Sequence, residues 1–328
     1  MIPVSVLNLV PIRAGQTPAE AIQSMIDLAQ EVERIGYQRY WIAEHHNAAS
    51  LVSSATQVLI SHVLTHTKTI RVGSGGVMLP NHSPLLVAEQ YGTLATIYPN
   101  RVDLGLGRAP GTDQHTALAL RRNMRDVSFD FPQDVQTLQR YLGPADKQGY
   151  VRAFPGVGLE IPLYILGSST DSAYLAAQLG LPYVFAAHFA PRMLESALEI
   201  YRREFQPSKV LAQPYVIVCL NVIAADTDEE AQLLATTQQQ FFLNIVRNTH
   251  QPLQAPQKDM AQVWQPGEQA AVAAMLDCSL IGGKASVASQ LEALQNRLHA
   301  DELMVVSYIY DEAKQYHSYR LLHEIAAA

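Results

Sequence analysis

Residues 214–224 read PYVIVCLNVIA, an apolar run in which Asn221 is the strongly polar exception. Strands that alternate apolar and polar residues have one face in water, whereas an unbroken apolar run is typical of a strand buried on both faces. Such strands occur in parallel sheets that are covered by helices. The segment therefore indicates an α/β protein built on a parallel sheet.

Seven further short runs rich in valine, isoleucine and leucine predict strands at 4–10, 38–43, 70–74, 101–106, 162–166, 182–186 and 302–308. Helical patterns lie between them. Thr17, Pro18 and Glu20 mark the start of one helix, because they supply an N-cap, a proline at the first helical position and a capping-box glutamate. Eight strand–helix repeats predict a (β/α)8 TIM barrel formed by a single domain, 1–328. An open doubly wound sheet is the alternative arrangement.

Two connections are too long for simple loops: 107–161 after the fourth strand and 225–301 after the seventh. Both follow the carboxyl ends of strands, where the active sites of barrels are built. We therefore expect both insertions to lie over the mouth of the barrel. Within the second, residues 248–277 are predicted to act as a lid.

Composition excludes several classes of function. The formal net charge of −7 argues against nucleic acid as a partner, since phosphate backbones favour clustered lysine and arginine. The adjacent pairs Arg121–Arg122 and Arg202–Arg203 are interpreted as solvated helix faces. Cys219 and Cys278 are too few for a disulfide framework and lack metal-type spacing. Without a signal-peptide pattern or a long apolar run, the expected location is the cytoplasm, away from membranes.

Polar residues and glycines follow the predicted second and third strands. Glu44, His45 and His46 come directly after the second, where they would face the barrel mouth, and histidine titrates near neutrality. Packing is the alternative role for such a histidine. Gly75 and Gly76 follow the third strand, and without Cβ atoms they would let the backbone approach a flat ligand or form a tight turn.

The fourth and fifth strands are followed by groups suited to a phosphate. Arg108 lies between glycines, and its guanidinium could pair bidentately with a phosphate or form a surface salt bridge. Gly167, Ser168, Ser169 and Thr170 lead into a helix, which offers hydroxyls and free N–H groups at a positive helix end. Ordinary N-capping is the alternative for these side chains. An arginine and a cradle on neighbouring strands together favour a phosphate site.

Four motifs in this order resemble the bacterial luciferase-like family of flavin-dependent oxidoreductases, in particular its single-chain monooxygenases of unassigned substrate. They are WIAEHH, VGSGGVMLPNHSP, YPNRVDLGLGRAPG and GSSTDSAYLAAQLGLP, beginning at 41, 72, 98 and 167. The resemblance covers nearly the whole chain. It implies a cytoplasmic barrel monooxygenase in which reduced FMN and O2 oxygenate a small organic substrate.

The resemblance also implies roles for individual residues. The FMN phosphate would be bound by Arg108, Ser169 and Ser172, with the backbone at Ser168 and Thr170 assisting. The Gly75–Gly76 bond corresponds to a non-prolyl cis peptide beside the flavin ring, and His45 to an acid/base residue. Candidate substrate contacts are Asn8, Glu44, His46 and His188. Gly107 replaces a reactive cysteine of bacterial luciferase, which puts light emission in doubt.

The sequence also leads to expectations about the electron donor, the oligomeric state and alternative functions. No dinucleotide signature is evident, so NAD(P)H is expected to act indirectly, through a separate flavin reductase. The resemblance implies a homodimer formed through helices near 53–66 and 84–98, which are rich in apolar residues. The alternatives are a deazaflavin- or FMN-dependent hydride transferase, a non-catalytic flavin-binding protein, and a metal-dependent hydrolase using Glu44, His45 and His46. No metal is predicted.

Overall fold

A computed structural model describes residues 2–109, 111–120 and 130–328. Its parallel strands are β1 Val4–Asn8, β2 Arg39–Ile42, β3 Arg71–Met78, β4 Val102–Gly107, β5 Leu163–Gly167, β6 Tyr183–Ala186, β7 Val216–Ala225, β8 Ser279–Gly283 and β9 Glu302–Val306. Strands β1 to β6 pair in sequence order, β6 pairs with β7, and β9 joins β7 to β1. These eight strands close a ring. The predicted TIM barrel is therefore confirmed, and the open-sheet alternative is wrong.

The strand β8 was not predicted, and it lies outside the ring. It pairs with the second half of β7, from Asn221 to Ala225, while the first half of β7 pairs with β9. The short sequence SLIGG ends in two glycines, which gives it a weak strand pattern. The insertion predicted at 225–301 therefore contains a further strand and the helices around it.

The helices are α1 Pro18–Ile35, α2 Thr56–His66, α3 Pro84–Ile97, α4 Gln114–Leu120, α5 Phe131–Leu142, α6 Thr170–Leu179, α7 Leu194–Glu204, α8 Asp228–Val246, α9 Glu268–Met275, α10 Lys284–Leu298 and α11 Glu312–Ala327. The predicted start of α1 is confirmed. Thr17 Oγ1 accepts from Glu20 N at 3.3 Å, and the Glu20 carboxylate accepts from Thr17 N at 2.7 Å. Within the described ranges, no helix is both long and apolar enough to cross a membrane.

Two adjacent arginine pairs were interpreted from the sequence as solvated helix faces. Arg121–Arg122 lies outside the described residues. Arg202 donates to the carbonyls of Leu298 and His299 at 2.6 and 2.8 Å, and Arg203 pairs with its neighbour Glu204 at 2.7 Å. Both residues of this second pair are thus engaged by protein groups.

A buried ionic cluster fills the amino-terminal end of the barrel. Arg39, on β2, donates to Glu302 at 2.7 and 2.9 Å and to Asp103 at 2.9 Å. Asp103 also accepts from Arg71 and from the indole of Trp41. Burial alone would lower the pKa of Arg39, but the charges of Glu302 and Asp103 raise it overall. The cluster closes the floor of the barrel and leaves the opposite end for a site.

Candidate functional site

A cavity of about 630 Å³ lies at the carboxyl ends of the barrel strands. The two insertions line its mouth, with Gly111–Asp113 from the first and Asn248–Gln251 from the second. The cavity brings together nine of the residues predicted from the sequence: His45, His46, Gly75, Gly76, Arg108, Ser168, Ser169, Ser172 and His188. Asn8, Glu44 and Thr170 are not among the residues that line it.

The Gly75–Gly76 peptide is cis, as the resemblance implied. A Cβ on Gly75 would lie 2.6 Å from Leu7 Cδ1, and a Cβ on Gly76 would lie 2.8 Å from the carbonyl oxygen of Gly105. Neighbouring atoms therefore occupy the space that side chains would need. Glycine is required here for close packing, while both glycines still line the cavity.

The start of α6 forms an anion cradle. Ser169 is the N-cap residue of α6, yet its side chain makes no capping hydrogen bond. The first N–H groups of a helix have no partner within the helix, and an unused N-cap hydroxyl adds a further hydrogen-bonding group. Arg108 reaches the same helix start from the end of β4, where its Nη1 lies 3.2 Å from Asp171 Oδ2. Arg108, Ser169 and the N-terminus of α6 therefore lie close to one another.

Ser172 and Thr170, which were also predicted to assist in binding the phosphate, lie at the start of α6 in different roles. The hydroxyl of Ser172 donates to the carbonyl of Ser169 at 2.7 Å and lies 3.0 Å from the hydroxyl of Tyr183. It holds the serine loop against the start of α6. Thr170 is the first residue of α6 and contributes its backbone to the helix start. Direct contacts with a phosphate would therefore come from Ser168, Ser169 and the helix N–H groups.

Gly107 is packed against Met78. A Cβ at position 107 would lie 2.9 Å from Met78 Sδ, so a larger residue requires that flexible side chain to move. In this chain, Met78 therefore occupies space that the cysteine of bacterial luciferase would need at this position.

Glu44 organises the loops around the cavity. Its Oε1 accepts from the rings of His46 and His82 at 2.9 and 2.8 Å, and its Oε2 accepts from Met78 N at 3.1 Å. Desolvation, the largest effect, raises the pKa of Glu44, but these hydrogen bonds lower it overall. The buried carboxylate therefore ties the loop after β2 to the end of β3. The sequence did not indicate His82, although it lies in the motif that begins at 72.

His45 and His188 line the cavity from the segments that follow β2 and β6. The Nδ1 atom of each is buried and has no hydrogen-bond partner among the described residues. Desolvation lowers the pKa of His45 to about 4, and desolvation together with the nearby His45 lowers the pKa of His188 to about 3. Both rings are therefore neutral at pH 7. Loss of hydration therefore moves the pKa of His45 well below the near-neutral value of a solvated histidine.

The amide of Asn8 is used within the barrel wall. Its Nδ2 donates to the hydroxyl of Tyr40 at 2.5 Å, and its Oδ1 accepts from Val10 N at 2.7 Å. The side chain shapes the end of β1 and is not available to a substrate in this arrangement.

An apolar wall that the sequence did not indicate completes the cavity opposite the cradle. Phe241 and Phe242 come from α8, while Met304 and Tyr308 come from β9 and the residues after it. Phe241 stacks on Tyr308 with ring centroids 4.5 Å apart. Cys219 also lines this wall as a buried free thiol.

The residues that the metal hypothesis required do not converge. Glu44 Oε1 is shared by the rings of His46 and His82, whereas Nδ1 of His45 is buried without a partner among the described residues. In the described part of the chain, no three histidine, cysteine, aspartate or glutamate residues are grouped so that they could hold a metal ion.

The fold and the cavity define a (β/α)8-barrel protein with its site at the carboxyl ends of the strands. A family model described as luciferase-like monooxygenase matches residues 2–300. The luciferase-like monooxygenase of Escherichia coli (strain K12) is 49% identical over 321 residues, which are 98% of this chain and 96% of that protein. The chain belongs to the luciferase-like monooxygenase family.

Two further similarities support this membership. The N-acetyl-S-alkylcysteine monooxygenase of Bacillus subtilis (strain 168) is 30% identical over 337 residues, covering 100% of this chain and 99% of that protein. The crystal structure of apo-MsnO8 superposes with a TM-score of 0.92 at 35% identity, covering 99% of this chain and 98% of that chain. The predicted enzyme class, a monooxygenase-type oxidoreductase, is confirmed.

Proposed function

We propose that this protein is an FMN-dependent monooxygenase that transfers one oxygen atom from O2 to a small organic substrate. The observation that carries the choice of cofactor is the N-cap serine of α6, which does not cap its helix and instead faces a cavity beside Arg108. Helix N-termini and arginine both bind phosphate well. The cradle therefore suits the phosphate of FMN, and the glycine pair lines the adjoining part of the cavity.

The chemistry that bound reduced FMN would supply is the two-electron reduction of O2, with one oxygen atom going to the substrate and the other leaving as water. Arg108, Ser168, Ser169 and the start of α6 would hold the phosphate. His45 would offer its neutral ring as a hydrogen-bonding group, able to hold or accept one proton at Nδ1. Asn248–Gln251 line the mouth and would limit the entry of water.

The Arg108–Asp171 ion pair bears on how tightly the cofactor is held. Both side chains are about half exposed or more, and Nη1 lies 3.2 Å from Oδ2. A phosphate that binds Arg108 has to share it with this carboxylate, and like charges repel. We therefore expect FMN to bind reversibly and to exchange with solution. The relative named for N-acetyl-S-alkylcysteine supports oxygen transfer to a small organic molecule.

Replacing Arg108 with alanine is expected to weaken FMN binding by about 1.5–3 kcal/mol, roughly ten- to a hundredfold, through loss of one charge-assisted hydrogen bond. Titration of purified protein with FMN, followed by flavin fluorescence, measures this change. Arg203→Ala is the matched control, because Arg203 lies on α7 and forms an exposed ion pair with Glu204. Equal FMN affinity in wild type and R108A would contradict the proposed phosphate site.

If oxidised FMN does not bind, the same titration is repeated with reduced FMN and with a deazaflavin. Binding of a deazaflavin alone would favour the hydride-transfer alternative on the same barrel. Failure of all three would remove the flavin hypothesis.

We also propose that reduced FMN comes from a separate NAD(P)H-dependent flavin reductase. The sequence has no glycine-rich dinucleotide motif. Protein supplied with FMN and NADH should therefore leave the ultraviolet absorbance of NADH unchanged until a reductase is added. Steady NADH consumption by the purified protein alone would show instead that it reduces its own flavin.

We propose a homodimer that forms through α2 and α3. Of the apolar residues on these helices, Leu59, Val63 and Val87 are core residues, whereas Val58 and Leu86 are 65% and 54% exposed. Gln57 donates to Gln90 at 3.0 Å, which joins the outer surfaces of the two helices. Exposed apolar side chains on one continuous surface are typical of an interface.

The double change Val58→Glu and Leu86→Glu is expected to shift a dimer to the monomer, because two carboxylates per subunit would be buried at the interface. Sedimentation velocity measures the change. Val210→Glu is the control, since Val210 is also exposed but lies in the loop between α7 and β7. A wild-type protein that sediments as a monomer, or a double variant that stays dimeric, would rule out this surface.

A further inference from the structure

The cavity has two chemically different sides. Arg108, Ser168 and Ser169 line the side formed by β4 and β5, which the proposed function assigns to FMN. Carbon and sulfur atoms dominate the other side, where Val184, Cys219 and Met304 accompany the aromatic wall of Phe241, Phe242 and Tyr308. A substrate next to the flavin would therefore contact mainly apolar groups.

Among the described residues that line the cavity, no charged side chain is available to a substrate. Arg108 lies at the cradle and pairs with Asp171. Asp113 lies at the mouth, where its carboxylate already accepts hydrogen bonds from Asn47, His115 and Thr116. A charged group placed against the apolar wall would lose its hydration without gaining an ion-pair partner.

Two uncharged hydrogen-bonding groups stand out on the inner wall. His45 and His188 lie in the segments that follow β2 and β6, and each has a buried Nδ1 without a partner among the described residues. Asn221 fixes the position of His188 by donating to its backbone carbonyl at 2.6 Å. Both rings line the cavity, so a ring nitrogen that is not used within the protein can form a hydrogen bond with a bound molecule.

We propose that the substrate is a neutral, mainly apolar molecule that packs against Phe241, Phe242 and Met304 and directs one hydrogen-bonding group, such as a carbonyl, to His188. This inference rests on the proposed function for the position of FMN, but it concerns the chemistry of the opposite wall. His188 then acts as a substrate-binding residue that distinguishes substrates by a polar group, and the wall distinguishes them by charge.

Binding of a matched series of probes tests the charge preference. The series consists of 4-isopropylacetophenone, 4-acetylbenzoate and 4-acetylbenzylammonium, in which the isopropyl group matches the shape of the carboxylate. Saturation-transfer NMR titrations are performed on wild-type protein with and without FMN. We expect the neutral ketone to bind at least about tenfold more tightly than either ion. Equal or tighter binding of an ion, or no saturable binding of the ketone, would overturn the proposal.

Comparison of acetophenone with ethylbenzene, which lacks the carbonyl, tests His188 itself. In His188→Phe, we expect the preference for acetophenone to decrease about three- to tenfold, with little change in ethylbenzene affinity. His66→Phe, at an exposed position on α2, should retain the wild-type preference. An unchanged preference in H188F would exclude His188 as the contact, and the charge series on the wild type remains decisive if H188F does not fold.

FMN affinity is measured by fluorescence in the same preparations, which separates the two proposals. Normal FMN binding with no preference for the neutral probe would reject the substrate class and leave the proposed function intact. A clear neutral preference without any flavin binding would support the chemistry of the wall and reject the flavin assignment.

Discussion

Replacing Arg39 with methionine is expected to lower the free energy of unfolding by about 3–5 kcal/mol. The guanidinium donates to Glu302 at 2.7 and 2.9 Å and to Asp103 at 2.9 Å, and all three side chains are buried. Methionine retains much of the aliphatic stem but leaves Glu302 without its cation inside the barrel. Urea denaturation followed by circular dichroism measures the loss.

Arg34→Met is the matched control, because Arg34 is 65% exposed and pairs with Glu31 on the surface of α1. Exposed ion pairs contribute about 1 kcal/mol or less, so this variant should stay close to the wild type. Adding Glu302→Gln to Arg39→Met should recover part of the stability, since it removes the unpaired charge. A loss of less than about 1 kcal/mol for R39M would show that water reaches the cluster.

The strands could be predicted because each barrel strand is buried on both faces and therefore leaves an apolar run. Their ends depended on backbone details. The predicted first strand extended to residue 10, but β1 ends at Asn8, and Val10 has a positive φ of 51° that breaks the extended conformation. The third strand was predicted to end at residue 74, yet β3 continues through the glycine pair to Met78 with a register shift.

The side of the cavity that Arg108 and the serines form could be predicted because its groups are local in sequence. Arg108 follows one strand directly, and Ser168 and Ser169 lie between another strand and its helix. The apolar side could not, since Phe241 and Tyr308 meet only when α8 folds back over the barrel. Sequence periodicity records which face of a helix is apolar, but it does not record the path of a long insertion.

The low pKa of His45 could not be predicted from the sequence either, because it depends on burial in the folded protein. The sequence placed His45 at a strand end, where histidine usually retains enough water to titrate near neutrality. In the structure, its Nδ1 is buried without a partner, and this loss of hydration lowers the pKa to about 4. The position of His45 after a strand could be predicted, whereas its pKa depends on how deeply the folded protein buries the ring.

Lowering the pH from 6.5 to 4.5 is expected to reduce the stability of the wild-type protein by about 2–3 kcal/mol through His188 alone. The pKa of His188 is lowered from 6.5 to about 3, first by desolvation and then by the nearby His45. As the pH falls below 6.5, His188 therefore becomes protonated in the unfolded chain but stays neutral in the folded protein. This contribution is fully present above pH 6.5 and declines by about 1.4 kcal/mol per pH unit as the pH falls toward the folded pKa.

Urea denaturation at half-unit pH intervals measures this dependence in wild type and His188→Gln. Glutamine does not titrate, so the stability difference between the two proteins should change by about 2–3 kcal/mol across the interval. His66→Gln, which removes an imidazole at an exposed position on α2, is the matched control for the substitution itself. Parallel curves for wild type and H188Q would mean that the pKa of His188 is the same in the folded and unfolded states, and would contradict the desolvation of its ring.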